Sequence, residues 1–261
     1  MTSYQEATQH YTQRSNNAHK QLQNWLNNPQ KQPVAHTLQN HNSDIIENLT
    51  VNQVLHIVKT TQNALGPSRR SIGEKITPIR DWNPNYAFTH VLHHTTATLG
   101  HLPTWQEFRH TAQTHPEIRP MLWEPAQQAI HNATQQGHNP QEAKNAMQWR
   151  IGNSYYSFIR EAYIIAQLHD AGLQPKYHPI VDTLFKVDLW VQNTNINLYI
   201  GNKIYRNTHQ GRKITSEQIL NDARPPYKNI NIQLPTQHTY GNVHLPTPQT
   251  LTTLLNQLQT N

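Results

Sequence analysis

Hydrophobic periodicity changes once along this sequence, and that change limits the fold more than any other feature. Up to about residue 148 the apolar positions recur at helical spacing, and beyond Trp149 they pass through one strong helix into short β-type runs. Within Ile45 to Leu65, the residues Val51, Val54, Leu55 and Val58 follow the i, i+3, i+4, i+7 rule. Gly66-Pro67 ends that segment, and a polar, Gln-rich segment from Tyr4 to Trp25 stops near Asn28-Pro29. Asn83-Pro84 offers an N-cap and an N1 proline for a helix through Leu99, closed by Gly100. Thr104-Trp105-Gln106-Glu107 has the form of a capping box, and Asn139-Pro140-Gln141-Glu142 combines an N-cap, an N1 proline and an early acid. Leu102 to Gln128 holds two helix-like pieces broken by Pro116 and Pro120, a spacing shared by helix-turn-helix units and ordinary helical hairpins. Residues 1–148 are therefore expected to be a helical region, and 149–261 a second domain.

The second part has a definite order. Ser154 to Ala171 reads as a helix ending at Gly172. Three β-type runs follow: Gln174 to Ile180, Leu184 to Val191 and Ile196 to Tyr205, the last two joined at Gln192-Asn193-Thr194-Asn195 as a hairpin. Thr215-Ser216-Glu217-Gln218 is a capping box for a short helix to Asp222, Asn229 to Leu234 alternates like a strand, and Thr247 to Leu258 forms a final helix. The expected fold class is α+β: a helical N-terminal half, an αβββαβ core and a C-terminal helix.

Chemistry concentrates in the hairpin. Read as a strand, Leu184 to Val191 puts Phe185, Val187, Leu189 and Val191 on one face and Lys186, Asp188 and Trp190 on the other. An aspartate between Val187 and Leu189 is unusual, because strand interiors disfavour it. On the partner strand Tyr199, Gly201, Lys203 and Tyr205 share a face, and a hairpin can bring Lys203 toward Asp188. Upstream, Glu161 interrupts the apolar helix expected to cover the sheet. A cross-strand ion pair between Asp188 and Lys203, and a surface pair for Glu161, are the plain structural alternatives.

An acid on the first strand of the hairpin, a lysine on the second and a glutamate on the preceding helix resemble the PD-(D/E)XK nuclease superfamily. The resemblance covers about Arg150 to Leu234. It implies a restriction-endonuclease-like core and a metal-dependent DNA endonuclease, such as a type II restriction endonuclease, using Mg²⁺. Asp188 would hold the metal, Asn202 would lend its backbone carbonyl, and Lys203 would activate water or steady phosphorane charge. Glu161 matches the acid that many members carry on the first helix. Gly201 departs from the pattern, which places an acid or a glutamine there. Either the second acid has moved, to Glu161 or Asp182, or the site is inactive and the fold only binds. The resemblance also extends to a homodimer, the common state of restriction enzymes.

Charge bears on the partner. Only 14% of residues are charged, yet the balance is +6 and the pI about 9.5. A basic surplus on a low-charge background favours a polyanion, here double-stranded DNA, because each cation set against a phosphate releases counterions. Arg69, Arg70 and Lys75 lie in a turn-rich loop suited to gripping a phosphate backbone, and Arg206, Arg212 and Lys213 form a second basic loop beside the expected site. A solvated surface loop is the alternative for each. A non-catalytic DNA-binding protein on a degenerate nuclease fold, or a protein-interaction module, are the rival readings of the whole chain.

Absence of cysteine excludes disulfides, thiolate metal sites and a cysteine nucleophile. His90-x-x-His93-His94 has ligand-like helical spacing, but no carboxylate lies nearby in sequence, so a polar helix face or phosphate contacts are expected and no zinc. No apolar run reaches membrane-spanning length and the N-terminus lacks the signature of a signal peptide, so the expected location is the cytoplasm.

Overall fold

The computed structural model describes residues 2–41, 44–67, 75–200, 214–234 and 243–259. The first helices are α1 (Tyr4–Thr12), α2 (Asn16–Leu26), α3 (Gln32–Gln39), α4 (Asp44–Glu47) and α5 (Val51–Thr60). Then come α6 (Thr77–Arg80), α7 (Phe88–Leu99), α8 (Trp105–Thr114), α9 (Trp123–Gln135) and the long α10 (Pro140–Asp170). The remainder is α11 (Pro179–Phe185), β1 (Leu189–Val191), β2 (Thr194–Ile200), α12 (Ser216–Ile219), β3 (Lys228–Leu234) and α13 (Pro248–Gln259). The protein is mixed α+β, and among the described residues no helix is long and apolar enough to cross a membrane.

Caps explain where many helices begin and end. The expected box at Thr104 is formed: its hydroxyl accepts the Glu107 N–H at 3.3 Å, and the Glu107 carboxylate accepts the Thr104 N–H at 2.8 Å. Replacing Thr104 with alanine is expected to remove about 1 kcal/mol of stability, seen as a lower urea midpoint at unchanged slope. Asn139 caps α10 by accepting from the Gln141 and Glu142 N–H groups at 2.8 and 3.2 Å. Gly100 and Gly172 end α7 and α10 with φ of 72° and 77°.

Other boundaries differ from the sequence reading. The expected helix from Tyr4 to Trp25 is two helices, because Ser15 takes extended backbone (φ −130°) and caps α2 through the Ala18 N–H. Asn83-Pro84 lies ahead of α7, which starts at Phe88. The helix expected from Ser154 is the second half of one continuous element from Pro140 to Asp170.

By contact the chain forms two compact units that cut across a linear division into 1–148 and 149–261. A sheet unit gathers residues 1–51, 161–238 and 245–261, and a helical unit gathers 52–160 and 239–244, the boundary falling inside α10 at Arg160 and Glu161.

In the sheet unit the strand order is β1-β2-β3, with β1 antiparallel to β2 and β2 parallel to β3. Ile196, Leu198 and Ile200 pair with Ile230, Ile232 and Leu234. On the other parity Asn195 and Asn197 donate to Asn229 and Asn231 at 3.1 and 3.2 Å, so the amides form a ladder. Helix α1 belongs to this unit. Tyr11, fully buried, lies 5.1 to 5.6 Å from the rings of Phe185, Trp190 and Tyr227, and its hydroxyl donates to Asn195 at 3.0 Å.

Two expected strands are corrected here. Pro179 at N1, with His178 accepting the Ile180 N–H at 3.2 Å, starts α11, and of the run Gln174 to Ile180 only Lys176 bridges to Trp190. Helix α11 runs through Phe185 and is capped by Lys186 in left-handed backbone (φ 58°), so the strand begins at Leu189 rather than Leu184. Face alternation therefore fails for this run: Phe185, Val187, Leu189 and Val191 are buried, and so is Trp190, which had been assigned to a polar face.

In the helical unit, Trp105, Phe108 and Tyr155 cluster, and the Tyr155 hydroxyl donates to the Pro103 carbonyl at 3.0 Å. His90 and His93 are buried rather than on a polar face, and the His93 ring meets Phe158 edge-on at 4.5 Å. His94 lies 3.6 Å from Glu117.

Candidate functional site

Asp188 sits immediately ahead of β1, between the fully buried Val187 and Leu189. Pairing of Leu189 with Ile196 means that a longer β1 would place Val187 opposite Leu198. The strand does not extend that far, and the Asp188 carboxylate takes over the role of the missing main-chain carbonyl, accepting the Leu198 N–H at 2.5 Å. The residue that stops β1 thus also secures its partner strand.

A second acid stands close. Asp182 lies in the first turn of α11, and the left-handed cap at Lys186 turns the chain so that Asp188 returns within its electrostatic reach. Burial pushes the Asp188 carboxyl up, the Asp182 charge acts in the same direction, and the net result is a carboxyl raised to about 8. The Leu198 N–H and the Lys186 charge act the other way, without restoring an ordinary carboxylate. Lys186 is exposed and its ammonium donates to the Thr183 carbonyl, which keeps it at the mouth of the site.

Two neighbouring carboxylates, one of them desolvated, are the donor chemistry that a hard divalent cation satisfies, because its charge offsets both the repulsion and the desolvation cost. Asp188 and Asp182 fit such an ion. Among the described residues no group of three or more His, Asp or Glu side chains gathers to hold a metal. Glu161 lies half-buried on α10 and does not complete a three-acid group with these two. Gly201, Asn202, Lys203, Arg206, Arg212 and Lys213 lie outside the described residues, as do Arg69 and Arg70. Lys75 is described and exposed, just ahead of α6.

Two features escaped the sequence. Lys186 was read as a strand residue, although the N1 proline at 179 and the acid at 182 were a helix-start signal that would have placed it at a C-cap. The amide ladder was also missed. Its end is held by α12, whose Ser216 and Glu217 side chains bond Asn197 and Asn231 at 2.9 and 2.7 Å. No protein-family model, curated protein or solved structure matches the chain.

Proposed function

We propose that the protein is a metal-dependent DNA endonuclease of the PD-(D/E)XK type, with Asp188 and Asp182 as its metal-holding carboxylates. The observation that carries this reading is the meeting of two acids just ahead of β1, where Asp188 bonds the Leu198 N–H and lies within electrostatic reach of Asp182. The order of elements supports it. Helix α10, the Lys176 bridge, β1, β2, α12 and β3 follow one another in the order that the resemblance implies, with α11 inserted between the bridge and β1.

Bound Mg²⁺ would supply charge neutralisation and a more acidic water at the scissile phosphate. The chain's own residues do the rest. Asp188 and Asp182 would hold the cation together with the Asn202 carbonyl, and Lys203 would bring positive charge to the phosphoryl oxygens. Glu161 remains the acid of the preceding helix in this reading, and Asp182 takes the place left empty by Gly201. Residues 201–213 carry Lys203, Arg206, Arg212 and Lys213 and no acid, a cationic stretch suited to a phosphate backbone. Arg69, Arg70 and Lys75 are proposed as further backbone contacts.

Plasmid DNA incubated with the protein and Mg²⁺ or Mn²⁺ tests the proposal. Nicking or linearisation is expected, blocked by EDTA and reduced about 10³-fold in Asp188→Ala and Lys203→Ala. Cleavage that both variants retain would sink the assignment. Gly201 favours a second reading, in which the fold binds DNA without cutting it. A salt-sensitive gel shift with intact DNA at every metal concentration would select that one.

A further inference from the structure

The helical unit contains a cleft that the nuclease reading does not use. It lies among α8, α9 and the first half of α10 and encloses about 350 Å³. Phe108, Leu122, Ile130 and Met147, all buried, make an apolar floor. Trp105 and Trp123 stand in the wall, Trp105 only 4% exposed and Trp123 half-buried with part of its indole open to the cleft.

The rim is cationic. Arg109 on α8 and Lys144 on α10 both line the opening, both are exposed, and no carboxylate lines it. Neither side chain has an ion pair among the described residues. The amides of Gln127, Asn145 and Gln148 also line the cleft; Asn145 accepts from Gln141 at 3.0 Å and Gln148 donates to the Ala64 carbonyl at 3.5 Å, whereas Gln127 has no hydrogen bond among the described residues.

We infer that this cleft binds a small aromatic anion of the nucleoside monophosphate class, its base against the half-buried Trp123 indole and its phosphate on Arg109 and Lys144. Charge complementarity selects an anion, since two unpaired cations flank an opening without acids. The aromatic wall selects a planar ring over an alkyl chain, because offset stacking adds to area burial. The Gln127 amide can meet both a donor and an acceptor on the edge of a base, which a fatty acid would leave unused. The volume falls in the range of small-ligand pockets, roughly 300 to 1,000 Å³, and suits one nucleotide rather than two. The site shares no residue with Asp188 and its neighbours, so it stands whether or not the protein cuts DNA.

Titration of the full chain with AMP, followed by tryptophan fluorescence and calorimetry, is the test, with adenosine, inorganic phosphate and octanoate as parallel ligands. AMP is expected to bind with a Kd of about 1 mM or tighter and to change the fluorescence. The double variant Arg109→Gln, Lys144→Gln should weaken AMP about tenfold and leave adenosine within about twofold, the loss of two charge-assisted contacts. Both positions are exposed, and an unchanged melting temperature confirms that the variant is folded. Trp123→Phe should remove most of the fluorescence response while calorimetry still detects binding. Phosphate competing as well as AMP would overturn the aromatic part of the inference. Octanoate binding without AMP binding, or no binding by any ligand, would overturn it entirely.

Discussion

Replacing Gly152 with alanine is expected to cost about 3 kcal/mol and to lower the melting temperature by roughly 10 °C. A Cβ at this position would come within 2.3 Å of the Ala64 carbonyl oxygen and 2.6 Å of its carbon. These are backbone atoms, so no rotamer change relieves the overlap. The turn at Ala64 is also tied to the same helix, because its N–H donates to the Tyr156 hydroxyl at 3.1 Å and Tyr156 is only 3% exposed. Helix α10 and this turn therefore have to separate or bend. Gly100→Ala is the control. It has nothing within 4 Å, only a φ of 72°, and should cost about 1 kcal/mol, the ordinary penalty of left-handed backbone for alanine. Chemical denaturation of the two variants side by side measures the difference, and equal midpoints would show that the α10 contact is not close.

Replacing Asp188 with asparagine is expected to stabilise the metal-free protein above neutral pH while destroying its proposed activity. The carboxyl is raised in the folded state, to about 8, whereas in the unfolded chain it ionises near 3.9. Its proton is held by both states below about pH 4, so there the native fold carries no charge penalty. As pH rises from about 4 toward 8 the unfolded chain releases the proton first, and stability falls by a few kcal/mol. Above about 8 both states are ionised and the loss is complete. Asparagine keeps an acceptor for the Leu198 N–H and has no charge to oppose Asp182. The variant should therefore match the parent near pH 4 and melt progressively higher than it up to pH 9, in EDTA. Mg²⁺ or Mn²⁺ should raise the melting temperature of the parent most at high pH and leave the variant unmoved. A pH-independent difference between the two proteins would show that Asp188 is not strained by its charge.

Local signals in the sequence located several elements well. The capping boxes at Thr104 and Thr215, the glycines after α7 and α10, and the β3 alternation all appear where they were read. Each rests on residues within one or two turns, and such interactions depend little on the rest of the fold. The run Leu184 to Val191 failed because its apolar residues satisfy a strand and a buried helix equally. Leu184 and Phe185 are core residues in α11, and Leu189 to Val191 are core residues in β1. Hydrophobicity alone could not divide them. Pro179 carried the missing information, since a proline suits N1 and leaves a strand without a donor.

Asp188 was singled out from the sequence by its chemistry, an acid within an apolar run, and that required no knowledge of the fold. Its neighbours did require it. Asp182 approaches only because α11 ends in left-handed backbone at Lys186, and the hairpin turn places Gln192 at φ 51°. The sheet unit shows the limit most clearly. Residues 1–148 read as one helical region, yet α1 packs its Tyr11 against Phe185, Trp190 and Tyr227 and bonds Asn195. By itself the sequence determined where several caps and helix ends fall and which acid is out of place, because those are short-range matters of capping and solvation. Only the tertiary structure decided which helix covers the sheet and which second acid meets the first. Burial of apolar surface is non-directional, so many pairings of the same elements are compatible with the pattern until packing selects one.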